Sequence, residues 1–91
     1  MEKQITSFDG TKIYYIYKKN TNKHTLIFLH GIATNWTVWR KEIEFFDKLG
    51  YSILAPDLRG HGLSECPHEE EKYNFIHFTK DIHALIKKEK I

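Results

Sequence analysis

Two short stretches of this 91-residue chain hold the side chains and amides that could do chemistry. One is His30-Gly31-Ile32, directly after the apolar run Leu26 to Leu29. A loop leading from a buried strand into a helix offers free backbone N–H groups where partial positive charge collects, so this stretch can hold an anion. The other is Pro56 to Ser64, P-D-L-R-G-H-G-L-S, where Asp57, His61 and Ser64 supply the three residue types of a nucleophilic triad. A triad is defined by geometry, and three side chains on one short glycine-rich loop lack a scaffold to fix it. The preferred reading is a structural loop. In it Asp57 and Ser64 bond nearby amides, His61 packs beside them, and Arg59, Gly60 and Gly62 complete the turn.

Other candidates are weaker. Cys66 follows Glu65 and precedes Glu69 to Glu71, acids that oppose the charge of a thiolate, so it reads as an ordinary thiol. Cys66 and His68 form C-x-H, which matches no familiar zinc spacing even with His61 added, and no metal site is expected. His77 and His83 are six apart on one predicted helix and point in different directions. His30 has two readings, a hydrogen bonder under its loop or a direct substrate contact. Trp36 and Trp39 can line an acyl pocket, although on a helix packed against a sheet at least one belongs to the core.

The elements that must position these residues follow from pattern. Residues 3 to 8 and 11 to 17 flank Asp9-Gly10, which predicts an antiparallel hairpin with a type I′ turn. Ile13, Tyr15 and Tyr17 fall on one face of it, Tyr14 and Ile16 on the other. Leu26 to Leu29 reads as a strand buried on both faces. A helix follows, capped by Asn35 or Thr34, with Val38, Trp39, Ile43, Phe46 and Leu49 as its apolar face and Gly50 as a left-handed stop. Tyr51 to Ala55 is the next strand. Strand, helix and strand make a βαβ unit with parallel strands, so the loops at residues 30 and 56 should be neighbours on one sheet edge. A last helix runs from about Tyr73 to Lys90, with Phe75, Ile76, Thr79, Ile82, Leu85 and Ile86 on one face.

Composition narrows the class. Hydrophobic content of 41% and charge of 29% suit a soluble globular chain, and no apolar run approaches the ~20 residues of a membrane span. The formal charge of +2, with lysines scattered among acids, gives no footprint for nucleic acid. A single cysteine excludes an internal disulfide, and without an apolar leader the chain is read as cytoplasmic.

The order F-D-G-T-K-I-Y-Y, then F-L-H-G followed by a tryptophan at 36 or 39, then G-Y-S-I-L-A-P-D-L-R-G-H-G-L-S, resembles the α/β-hydrolase fold enzymes of the serine hydrolase type over nearly the whole chain. The resemblance implies an α/β fold in which a hairpin, a βαβ unit and a final helix form the first part of a hydrolase sheet. Residues 1–91 would then be an amino-terminal, incomplete domain. It implies that the backbone N–H of Ile32 is half of an oxyanion hole, with His30, Gly31 and Trp36 in the substrate loop, and that no cofactor is needed. The family's nucleophile elbow, G-x-S-x-G, and its later acid and histidine are absent from these residues. Esterase, lipase or peptidase-like hydrolysis of a small ester-like molecule would need them, so the chain alone is expected to be inactive. The family also contains dehalogenases and epoxide hydrolases, and Ile32 favours none of these.

Alternatives are a split-enzyme subunit completed by a second chain and a noncatalytic binding module. In the family a further strand lies beside the one at Leu26 to Leu29. Without it that edge is open, and self-association or capture of a second chain there is expected.

Overall fold

A computed structural model describes residues 1–91 and contains four strands and two helices. The strands are β1 (Glu2–Thr6), β2 (Lys12–Lys18), β3 (Thr25–Ile27) and β4 (Ser52–Pro56); the helices are α1 (Arg40–Lys48) and α2 (Phe75–Lys88). Short 3₁₀ turns at Trp36–Trp39 and Glu70–Tyr73 lead into the helices.

The hairpin forms as its alternation requires, with Lys3 opposite Tyr15 and Ile5 opposite Ile13. Its turn differs from the expected type. A type I′ turn needs positive φ at both Asp9 and Gly10, and only Gly10 has it, at +91°. Gly10 N–H donates to Ser7 O at 3.0 Å and Ser7 N–H to Thr11 O at 2.7 Å, the pattern of a three-residue loop closed by a glycine bulge. The Asp9 carboxylate meanwhile accepts from Thr11 N–H and from Arg59, contacts that a different turn would redirect.

The sheet order is β1-β2-β4-β3. β4 runs antiparallel to β2, with Ile16 opposite Ala55, and parallel to β3, with Leu26 opposite Ile53. The crossover β3-α1-β4 is thus the βαβ unit expected from sequence. The strand buried on both faces is β4, in which every residue is buried. Leu26 to Leu29 was the expected one, yet β3 spans three half-buried residues, Phe28 is buried just beyond it, and Leu29 is 47% exposed. Position explains the reversal: β3 lies at the end of the sheet order, so nothing shields its outer side.

Alternate residues of the strands feed two cores. Ile13, Tyr15 and Leu54 meet Leu85 and Ile82 of α2 on one face of the sheet. Ile53 and Ala55, with Phe28, meet Trp39, Ile43 and Phe46 on the α1 face. Asn35 is the cap in use, its Oδ1 accepting from Thr37 N–H at 3.0 Å. The expected α1 face loses two members: Val38 and Leu49 are exposed. The first turn is 3₁₀, so its tighter winding rotates Val38 off the line of Ile43 and Phe46. Gly50, at φ +91°, ends the helix as expected.

The last helix begins at Phe75, two residues later than its pattern suggested, because Asn74 accepts from His77 N–H at 2.9 Å and caps it there. Its carboxyl half packs on the hairpin, where Tyr15 Oη and Lys3 Nζ both donate to Glu89. Its amino half overhangs. Phe75 and Ile76, expected on the packed face, are 83% and 62% exposed.

Candidate functional site

The two chemistry-bearing loops meet at the carboxyl ends of β3 and β4. Leu58 N–H donates to His30 Nε2 at 2.9 Å, and Trp36 N–H donates to Asp57 Oδ1 at 2.8 Å. His30 is 5% exposed and also gives its Nδ1–H to Gly31 O at 2.7 Å. Both ring nitrogens are thereby used, one as acceptor and one as donor, which fixes the neutral Nδ1–H tautomer. Of its two readings, the geometry gives His30 the role of hydrogen bonder under the loop.

The Asp57 loop is braced throughout. Asp57 is 1% exposed, and its second oxygen accepts from Leu63 N–H at 2.9 Å. Ser64 Oγ donates to Asp57 O at 2.6 Å and accepts from Tyr14 N–H at 2.8 Å, which fastens the loop to β2. His61 gives Nδ1–H to Arg59 O at 3.0 Å, and its ring lies 5.1 Å from that of His30. Gly60 N–H donates to Glu65 O. No side chain among Asp57, His61 and Ser64 bonds another of the three, so they form a turn and not a triad. Gly62 is required in it: φ is +52°, and a Cβ there would lie 2.1 Å from Asp57 Oδ2.

Beneath this loop is a charged cluster that sequence reasoning missed. Arg59 is fully buried and grips Asp81 of α2 with two parallel bonds, Nε to Oδ2 and Nη2 to Oδ1, both 2.7 Å. Its Nη1 donates to Asp9 Oδ2 at 2.9 Å, and Ser7 Oγ donates to Asp81 Oδ1. The network ties the hairpin turn, the β4 loop and α2 at one point. Asp81, then Asp9, hold the guanidinium protonated well beyond its usual range, and Arg59 holds the Asp9 carboxyl well below the usual carboxylate range. One signal was available. Asp81 occupies an apolar-face position beside Phe78, Ile82 and Leu85, where a lone acid needs a buried partner.

The His30 loop is open by contrast. The backbone N–H of Ile32 makes no hydrogen bond, the residue is 90% exposed, and Ala33 beside it has φ +67°. Ile32 borders a cleft of about 600 Å³ between the ends of β3 and β4 and the overhanging half of α2. Leu29, Leu58, Phe75 and Ile82 form its apolar walls, and His61 is a polar group on its rim. Trp36, read from sequence as part of the substrate loop, does not line it. Its ring packs with Trp39 against the α1-side core, and Arg40 lies over it at 5.4 Å. Cys66 is exposed on a separate polar hollow with His68, where Tyr73 Oη donates to Pro67 O at 2.7 Å. His77 packs on Phe8 and His83 faces the cleft, so the two histidines are on different surfaces.

A parallel βαβ unit on a hairpin, with an unbonded amide at the strand-to-helix loop, has the architecture of the start of an α/β-hydrolase. The chain belongs to the alpha/beta hydrolase fold family, whose model matches residues 24–91. It is 34% identical over 87 residues to Protein ABHD8 of Homo sapiens, a match covering 96% of this chain and 18% of that protein. The esterase EaEST from Exiguobacterium antarcticum superposes with a TM-score of 0.91 at 27% identity, over 100% of this chain and 32% of that one. Epoxide hydrolase VrEH1 from Vigna radiata gives 0.89 at 32% identity, over 100% and 29%. The chain therefore spans under a fifth of the length of the curated relative and under a third of each solved one.

Proposed function

We propose that these residues act as the amino-terminal part of an α/β-hydrolase for a small ester-like substrate. Their contribution is the oxyanion loop at His30, Gly31 and Ile32 and an apolar wall of the substrate cleft. The reading is carried by the Ile32 amide: it has no partner, sits where a helix-ward loop leaves β3, and borders the cleft. A fixed N–H at such a place stabilises the negative charge that develops on a carbonyl oxygen during acyl transfer. Attack on that carbonyl requires a nucleophile, and the only serine in the site, Ser64, has its hydroxyl committed to Asp57 O and Tyr14 N–H. The residues present accordingly bind and polarise, and the bond-forming serine, acid and histidine come from elsewhere. The chain alone is inactive.

A second reading, a subunit completed by another polypeptide, has one observation in its favour, the position of β3 at the end of the sheet order. The same experiment bears on both. The 91-residue chain is treated with a fluorophosphonate and assayed with a p-nitrophenyl ester, alone and mixed with a polypeptide carrying the remaining two thirds of the esterase domain. The expected result is no labelling and no turnover alone, and turnover in the mixture that falls by about 10²–10³ when Ile32→Pro removes the donor amide. Labelling of Ser64 in the isolated chain would overturn the reading, as would a mixture indifferent to Ile32→Pro.

A further inference from the structure

We infer that Arg59 is a positioning residue for the Ile32 amide: its buried bonds to Asp81 and Asp9 fix the adjoining pair Asp57 and Leu58, which anchors both ends of the His30 loop. The inference rests on the reading of the Ile32 N–H as an oxyanion donor and concerns what holds that donor in place.

The His30 loop is held at its two ends and not between them. At its start His30 Nε2 accepts from Leu58 N–H at 2.9 Å, and at its close Trp36 N–H donates to Asp57 Oδ1 at 2.8 Å. The N–H groups of Gly31, Ile32, Ala33 and Thr34 make no hydrogen bond, so no bond of its own sets the direction of the Ile32 donor. Beside it Ala33 has φ +67°, a strained conformation that persists only where the surroundings over-determine the backbone. The two anchors are far apart in the loop and adjacent in the segment after β4. A displacement of that segment therefore moves both ends of the loop at once.

On the strand side the anchoring pair is tied to the sheet, where Asp57 N–H donates to Tyr14 O at 2.9 Å and Ser64 Oγ donates to Asp57 O. Beyond Leu58 it is tied by Arg59, whose five guanidinium donors are all in use. Nε and Nη2 donate to Asp81, Nη1 to Asp9 Oδ2 and to Lys72 O at 3.0 Å, and Nη2 again to Asp9 Oδ1 at 3.3 Å. Three segments thus grip one side chain: α2, the hairpin turn and the 3₁₀ turn before α2. Stability alone does not call for such a cluster, because apolar residues of the same volume often replace a buried ion pair without loss. What a guanidinium adds over an apolar filler is direction, since each N–H must meet its acceptor along a fixed line. Placed next to Leu58, those bonds set where the Leu58 N–H points, and through His30 they set where the loop begins.

The test follows the amide resonances of Ile32 and Leu58 in the full 91-residue chain, alone and mixed with the remainder of the esterase domain, together with turnover of the p-nitrophenyl ester by the mixture. Arg59→Lys keeps the positive charge and gives up the planar fork. Asp9→Asn is milder, removing one charged acceptor and leaving the pair of Arg59 with Asp81 whole. Tyr15→Phe is the control, since it loses the bond to Glu89 near the carboxyl end of α2 and leaves the cluster intact. Both cluster variants are expected to move the Ile32 and Leu58 resonances, although Asp9 and Ile32 lie on opposite sides of β4, and the control to move neither. In the mixture kcat falls about tenfold for Arg59→Lys and less for Asp9→Asn, with KM unchanged, because a displaced donor weakens transition-state stabilisation and not substrate binding. Tyr15→Phe leaves both constants in place. Folded cluster variants whose Ile32 resonance stays where it was overturn the inference, as does a fall in kcat that Tyr15→Phe matches. If Arg59→Lys does not fold, Asp9→Asn decides alone. A mixture of unsubstituted chains without turnover refutes the hydrolase reading, and the resonances then decide the role of Arg59 by themselves.

Discussion

The two loops at the carboxyl end of the sheet have opposite designs. After β4, Asp57, Ser64, Gly62 and the buried Arg59 use nearly every polar group to hold one shape. The Gly31–Thr34 loop after β3 leaves its amides unbonded and carries a non-glycine residue at φ +67°. The difference is one of division of labour: the first loop is scaffold, and its Asp57 reaches across to the Trp36 amide to fix where the second ends and the 3₁₀ turn starts. Rigidity is thus supplied by one segment and open donors by its neighbour.

The comparison breaks most severely at Arg59. Arg59→Met leaves Asp81 buried without its partner, and denaturant titration should show a loss of about 3–5 kcal/mol, enough to unfold many domains of this size. Gly62→Ala comes next. Its methyl group displaces the Asp57 carboxylate, breaks the bonds from Trp36 and Leu63, and costs about 2–3 kcal/mol by the same titration.

Acid tests the same brace without mutation. Because Arg59 lowers the native value for Asp9 below the ordinary 3.8, its contribution to stability is complete above that value and is lost as pH falls toward the lowered one. Thermal melts from neutral pH downward should show Tm falling below about pH 4, less steeply in Asp9→Asn. The open loop should respond least. Ile32→Ser, at a 90% exposed position, should shift stability by under about 0.5 kcal/mol. Ala33→Gly, which relieves the positive φ, should raise it by about 0.5 kcal/mol.

The outline of the fold was legible because its punctuation is local. Asp9-Gly10, Asn35 and Gly50 mark turn, cap and stop by their own chemistry, and the apolar spacing between them separates strands from helices. What escaped was set by neighbours distant in sequence. Nothing in L-I-F-L or S-I-L-A-P states which will be central, since both are short apolar runs; the pattern alone reads Leu26 to Leu29 as buried on both faces, whereas the family resemblance makes it an edge, and the strand order puts β4 inside and β3 outside. The site was legible as two adjacent loops because parallel strands put their carboxyl ends on one side. The Arg59 to Asp81 brace was not, for it joins residues 22 apart on elements whose packing no periodicity reveals. Trp36 looked like a pocket residue because aromatics near an anion loop often are, and the 3₁₀ turn it starts directs it into the core instead.

The strand order has a consequence for how the chain is made. β2 and β3 follow each other in sequence, yet β4 lies between them, so β3 has no partner and β2 has only β1 until residue 56 has been synthesised. Until then a hairpin, marginal alone in water, and an unpaired apolar segment leave the ribosome together. Insertion of β4 closes both gaps in a single step, pairing with β2 and β3 at once. Folding of the sheet should therefore be all-or-none and slow for the chain's size, and the interval before β4 emerges is when chaperones have most to bind.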